Sequence, residues 1–293
     1  MFGKDRSDTM TYARANISIP PGHETGQIER GSGRINATHH FAPLSVTRLN
    51  GNEALAKQLA NARTAQHEPL LLYVHGYNNT LEDAAFRLAQ IQHDFDLPNP
   101  SLLFAWPSAG DPLGYAYDRD SVLFARSDLA QLLETLNRTT NSRIILLGHS
   151  LGSHLVMEAL RQLALEGKSR PLAALDAVVL MSPDIDPDVF RKQAREIGPL
   201  PQPFVIMTSQ KDRVLNLAAL LTGDKTRLGR LQDNADMRNL NVTVLDFSPF
   251  EAGTSAGHMV PVSSPAAIRF LRRLTDGAGQ ARTEFSQFAL QKP

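Results

Sequence analysis

Residues 143–152, RIILLGHSLG, constrain the chain more than any other stretch. Ile144 to Leu147 form a short apolar run suited to a buried parallel strand. That run passes directly into Gly148-His149-Ser150-Leu151-Gly152, which has the form G-x-S-x-G. Beyond it, Leu151, Leu155, Ala159 and Leu163 recur at helical spacing, and Gly167 is a suitable stop. A serine at a sharp strand-to-helix turn sits on a strained backbone with its hydroxyl above the sheet edge. Positions two before and two after it must be small, because strand and helix backbones converge there. The helix N-terminus turns its free N–H groups toward negative charge developing near Ser150. Ser150 is therefore the candidate nucleophile.

The surrounding chain supplies a sheet for such a turn. Apolar, strand-length runs occur at Leu70–Val74, Ser101–Trp106, Ile144–Leu147, Leu175–Met181, Phe204–Thr208 and Val242–Phe247. Helix-sized segments separate most of them: Thr80 opens one with Asp83 three residues on, Val122–Leu136 forms another, and Ser264–Leu274 closes the series. This alternation predicts an α/β protein with a mostly parallel sheet covered by helices on both faces. Ile17–Pro21 and Phe41–Leu49 read as short edge strands, and Asn52–Ala65 as a helix. SAGDPLGYAYDRDS, residues 108–121, reads as a loop. The expected division is an N-terminal extension and edge-strand region over 1–40, one catalytic-type domain over 41–275, and a peripheral tail over 276–293. Only about twenty residues separate Pro183 from Gln202, too few for a large lid.

Composition narrows the function. Lys+Arg and Asp+Glu balance at 30 each in 293 residues, which argues against nucleic acid as a partner. There is no cysteine, so a thiolate nucleophile and disulfides are excluded. The first seventeen residues lack the apolar core of a signal peptide, and no stretch reaches the roughly 20 apolar residues of a membrane span. The expected location is the cytoplasm, unless an export signal or anchor has been removed. No phosphate-loop or dinucleotide fingerprint occurs, so no cofactor is expected. His23, His39 and His40 lie in the polar stretch 22–40, but their spacing matches no zinc motif, and the stretch reads as a surface excursion without a metal.

A serine needs a base, and the base a carboxylate. For a serine on this kind of turn the chain order is serine, acid, histidine. His258 is the one histidine downstream of the late strands, in a loop softened by Gly253, Ser255, Ala256 and Gly257. Two acids compete. Asp212 follows the strand nearest His258 and is favoured; Asp184 follows the strand before, and with Asp186 reads as a cap or loop brace. His149 adjoins the nucleophile, but its backbone direction is expected to carry it away. His154 reads as a packing or surface residue. The oxyanion requires two N–H donors. Leu151 is one candidate and Tyr77 the other, with Gly76 freeing the backbone, His75 lining the site and Asn78 or Asn79 bracing the loop. Leu113, Tyr115, Tyr117, Leu215, Leu217, Leu220 and Leu221 are candidates for an apolar acyl pocket, with ordinary helix core as the competing reading.

With those residues in view, the blocks LLLYVHGYNN, LLFAWPS, IILLGHSLGSHL and VVLMSPDIDPDVF together resemble an alpha/beta-hydrolase family of bacterial proteins of unknown function. ISIPPGHETGQIER resembles that family's N-terminal portion, and the likeness runs over roughly residues 12 to 265. The resemblance implies an alpha/beta-hydrolase fold, Ser150 as nucleophile, His258 as base, Asp212 as acid and the His75-Gly76-Tyr77 loop at the oxyanion hole. The substrate class expected is a small or lipid-like acyl ester, with thioester cleavage or acyl transfer open to the same groups. A non-catalytic binding module on the same fold is the alternative from another class; an intact Ser-Asp-His order argues against it.

Overall fold

A computed structural model describes residues 3–33, 35–63, 68–140, 142–221, 223, 226–231, 235–250 and 257–276. Two strands come first, β1 (Tyr12–Ser18) and β2 (Ala42–Leu49), followed by α1 (Gly51–Ala62). The alternating part then runs β3 (Leu70–Val74), α2 (Leu81–Asp94), β4 (Leu102–Phe104), α3 (Tyr115–Thr140), β5 (Ile144–His149) and α4 (Leu151–Leu165). A short α5 (Ser169–Ala173) leads to β6 (Leu175–Met181), α6 (Pro187–Ile197), β7 (Phe204–Thr208) and α7 (Arg213–Leu221). The chain continues through β8 (Thr243–Asp246), a four-residue α8 (Val260–Ser263) and α9 (Pro265–Asp276).

Six strands form one sheet in the order β4-β3-β5-β6-β7-β8, and every pairing is parallel. β3 and β7 are buried at all five positions, as strands covered on both faces must be. One core lies under α1, α3, α4 and α6, where Leu72, Leu129, Leu146, Leu160 and Phe190 meet. A second lies on the other face, where Tyr73, Met181, Met207, Phe247 and Val260 meet. Because all six strands run the same way, their carboxyl ends share one edge, and the loops that leave β3, β5, β6 and β7 converge there.

β1 and β2 pair with each other as an antiparallel ribbon apart from this sheet. β1 covers Tyr12–Ser18 instead of the expected Ile17–Pro21. Its side chains are mostly exposed, so pairing with β2 and not an apolar face fixes its extent. The sequence also misjudges α3. Tyr115 and Tyr117 are helical, because a turn at Asp111–Gly114 starts a 26-residue helix seven residues before the expected Val122. α2 starts at the expected cap: Thr80 accepts from the Asp83 N–H, and Asp83 accepts from the Thr80 N–H. The interval after β6 holds only the 11-residue α6, capped by Asp186 through the Asp188 and Val189 N–H groups, so no large lid enters there. Among the described residues no helix is long and apolar enough to cross a membrane.

Candidate active site

Ser150 has φ 54° and ψ −123°, a conformation that L-residues seldom adopt, at the junction of β5 and α4. Its N–H donates to the Met181 carbonyl at 3.0 Å, and its carbonyl accepts from the Asp184 N–H at 3.2 Å. The end of β6 therefore grips the strained residue on both sides. The flanking glycines are sterically required. A Cβ on Gly152 would lie 2.2 Å from the His75 carbonyl oxygen, and one on Gly148 would lie 2.8 Å from the Ser153 Cα. Ser150 is 2% exposed. Leu151 is the first residue of α4, so its N–H has no partner within the helix.

The loop after β3 approaches from the neighbouring strand. A Cβ on Gly76 would sit 2.8 Å from the Ser150 Cβ and 2.6 Å from His149 Nδ1, so only glycine lets this backbone come so close to the serine. The Asn78 N–H donates to Asp118 Oδ2 and the Asn79 N–H to Ser108 Oγ, while the Tyr77 N–H has no partner among the described residues. Asn79 braces the loop through its side-chain amide, which donates to the Gly76 and Tyr77 carbonyls. Asn78 stands at φ 55°.

Asp118, which the sequence reading missed, is the hub of this region. It is fully buried and also accepts from the Ser108 hydroxyl at 2.7 Å and the Ala109 N–H at 2.6 Å. His75 lies flat on Trp106, with ring centroids 4.9 Å apart. Its Nδ1 lies 2.9 Å from the Gly76 carbonyl and its Nε2 accepts from the Trp106 N–H, an arrangement that suits a neutral ring protonated on Nδ1. Burial lowers its pKa accordingly.

Asp212 and His258 meet. Asp212 Oδ2 is 2.7 Å from His258 Nδ1, its Oδ1 accepts from the Leu215 N–H at 3.0 Å, and the residue has no exposed surface. The two loops interlock at Gly257, which has φ +86°; a Cβ there would meet the Lys211 carbonyl oxygen at 2.4 Å. Ser182 Oγ donates to the His258 carbonyl at 2.8 Å and so ties this loop to the end of β6. No hydrogen bond joins the Ser150 hydroxyl to His258 among the described residues; contacts of this type tighten in substrate complexes. Gly253, Ser255 and Ala256 lie outside the described residues.

The other candidates separate clearly. Asp184 takes a hydrogen bond from the Tyr115 hydroxyl at 2.8 Å and an ion pair from Arg227 Nε at 3.1 Å. Burial raises its pKa, and Arg227 followed by Tyr115 opposes that rise. His149 corrects an expectation: its ring is not carried away but lies 4.6 Å from the His258 ring, because the loop carrying His258 folds over the strand face from which His149 projects. Burial, then the neighbouring His258, holds its pKa well below the usual value.

Tyr117 is a second correction. Its hydroxyl donates to the Lys4 carbonyl and its ring carries Arg6, so it anchors the N-terminal segment. Tyr77 packs edge-on against Tyr115 and donates to the Pro112 carbonyl. The leucine set divides as well: Leu215 is core, whereas Leu113, Leu217 and Leu220 are 92%, 55% and 69% exposed. The side chain of Leu221 lies outside the described residues.

The chain is similar in structure to TT1662 from Thermus thermophilus, at 15% identity over 77% of this chain and 90% of that one, with a TM-score of 0.43. An esterase from Pyrobaculum calidifontis gives 11% identity, 74% and 78% coverage and a TM-score of 0.40. A dienelactone hydrolase from Anabaena variabilis gives 14%, 71% and 83%, with a TM-score of 0.41. No curated protein sequence matches. The family model described as "alpha/beta hydrolase of unknown function (DUF900)" matches residues 51–274, most of the chain. The chain belongs to this alpha/beta-hydrolase family and has its fold.

Proposed function

We propose that this protein is a serine hydrolase that cleaves carboxylic esters through an acyl-enzyme. The observation that carries the proposal is the pairing of Asp212 with His258 at 2.7 Å, on loops that interlock beside a serine held at φ 54°. A scaffold that only bound ligands would gain nothing from burying that carboxylate against an imidazole, or from holding Ser150 under strain.

In this reading the Asp212 carboxylate keeps the His258 proton on Nδ1 and leaves Nε2 free to act as a base. Ser150 Oγ attacks the ester carbonyl carbon as Nε2 takes the hydroxyl proton. The carbonyl electron pair moves onto oxygen, and the N–H groups of Leu151 and Tyr77 stabilise that oxyanion. The intermediate collapses as His258 gives its proton to the leaving alcohol. Water, deprotonated by His258, then attacks the acyl-serine; the Ser150 oxygen leaves with the proton, and a carboxylic acid is released. Asp118 acts one step removed, by fixing the loop that carries Tyr77. His75 lines the loop from behind as a neutral, hydrogen-bonded ring. No step needs a cofactor. The exposed Leu113, Leu217 and Leu220 are the residues proposed to receive an aliphatic acyl group.

Hydrolysis of a p-nitrophenyl ester series, from acetate to longer chains, tests this reading with wild type, Ser150→Ala, Asp212→Asn and Asp184→Asn. The expected result is turnover that rises with chain length beyond acetate, vanishes in Ser150→Ala and collapses in Asp212→Asn. Collapse in Asp184→Asn alone, with the protein folded, would overturn the assignment of the acid.

A further inference from the structure

The polar stretch before β2 is more than a surface excursion. The side chain of His23 is only 5% exposed and lies between two carboxylates. Its Nδ1 is 2.9 Å from Glu29 Oε2, and its Nε2 is 3.0 Å from Asp94 Oδ1. The ring of His93, on the exposed side of α2, stands edge-on to His23 with centroids 5.2 Å apart. One ligand-type atom from each of His23, His93 and Asp94 lies within 4.8 Å of the other two. His39 and His40 are not in this group; they pair edge-on with each other.

We propose that His23, His93 and Asp94 form a binding site for a first-row divalent metal ion of the zinc class. Two imidazoles and one carboxylate are a donor set that suits Zn²⁺, Co²⁺ or Ni²⁺ and is too nitrogen-rich for Mg²⁺ or Ca²⁺. The ion enters between His23 Nε2 and Asp94 Oδ1, which form its first two bonds. The Nε2 proton leaves to solvent, and exposed His93 rotates in as the third ligand, with a water as the fourth.

The groups behind these ligands carry the inference further than their proximity does. A metal-bound histidine characteristically donates its other ring N–H to a carboxylate, and ligating carboxylates are themselves hydrogen-bonded. His23 Nδ1 already faces Glu29, whose Oε1 is fixed by the Glu24 N–H at 2.9 Å. The second oxygen of Asp94 accepts from the Gly26 N–H at 2.7 Å and from the Gln90 amide. Of the nearby cations, Arg87 donates to the Gly26 carbonyl and to Gln90, and Arg272 donates to the Asp94 backbone carbonyl and to Asp96. An ion here would pin residues 23–29 onto α2. Through Gln90, which also donates to the Val262 carbonyl, it would brace α8, the turn that follows His258.

The test is titration of chelator-treated full-length protein with ZnCl₂ by calorimetry, together with the visible absorption of the Co²⁺ form. Wild type is expected to bind one equivalent and to give the intense bands of four-coordinate Co²⁺. His93→Ala, a change at an exposed position, should weaken Zn²⁺ by at least the roughly 10- to 100-fold that loss of an outer-shell partner costs, and Glu29→Gln by about tenfold. The His39→Ala/His40→Ala double variant should bind like wild type. Absence of saturable binding by wild type, or equal binding by wild type and His93→Ala, would overturn the proposal. Because the readout is metal binding, its failure leaves the proposed hydrolase chemistry untouched.

Discussion

The loops that follow β6 and β7 start from the same material and end in different roles. Each carries a buried aspartate within a few residues of its strand end, at the edge where Ser150 sits. Asp212 meets an imidazole and a backbone N–H, and in the proposed reaction that ring gains and loses a proton. Asp184 is matched instead by a guanidinium and a phenol, and its backbone N–H holds the Ser150 carbonyl. The comparison teaches that burial and position at a strand end do not by themselves set a carboxylate's role. The partner does: in the proposed reaction an imidazole makes Asp212 part of a proton-transfer chain, whereas a guanidinium and a phenol make Asp184 a structural tie.

The largest test of that contrast is Asp212→Asn. The substitution should keep the fold and lower kcat by about 10⁴-fold, as loss of the orienting carboxylate does in serine triads, measured by steady-state ester hydrolysis. Asp184→Asn should do the reverse: unfolding in urea should show a loss of about 3 kcal/mol, because a buried ion pair is broken, while kcat in the folded protein stays within about tenfold of wild type. Gly76→Ala should lower kcat by about 100-fold with a smaller effect on KM, because its methyl group would push the Tyr77 N–H away from the developing oxyanion.

The histidines near Ser150 sharpen the contrast through pH. His154 is pushed down to about 4 by burial, and His75 and His149 are lowered by the same cause. The unfolded chain protonates these rings near pH 6.5 and the folded protein does not. Stability should therefore fall as pH drops from about 6.5 toward 4, by about 3 kcal/mol from His154 alone. His154→Asn should flatten that part of the curve in thermal unfolding across pH. The smallest effect belongs to Tyr115→Phe, which removes one hydrogen bond to Asp184 and should cost about 1.5 kcal/mol in urea unfolding with little change in kcat.

How legible the molecule was depends on whether a feature is contiguous in the chain. Strand, turn and helix around Ser150 are consecutive, and the glycines that make the turn possible sit inside it, so the geometry could be read from ten residues. The order of serine, acid and histidine then left His258 as the sole candidate base and singled out Asp212 by its proximity to that loop. Asp118 and Arg227 carry no local signal: one comes from the first turn of α3 and the other from beyond α7, and only packing shows what they hold. α3 was misread at its start because Gly110, Pro112 and Gly114 mark a turn, and the polar run after them masks a helix whose buried face includes Asp118. His23 was misread because a charged stretch reads as solvated, whereas here the histidine is buried by being matched to two carboxylates.

Intact-mass analysis after treatment with a fluorophosphonate probe tests the central claim most directly, with wild type and Ser150→Ala compared side by side. The account predicts one adduct on wild type, mapped to Ser150, and none on the variant. Folded wild type that takes no adduct, or a variant that labels as wild type does, would contradict it.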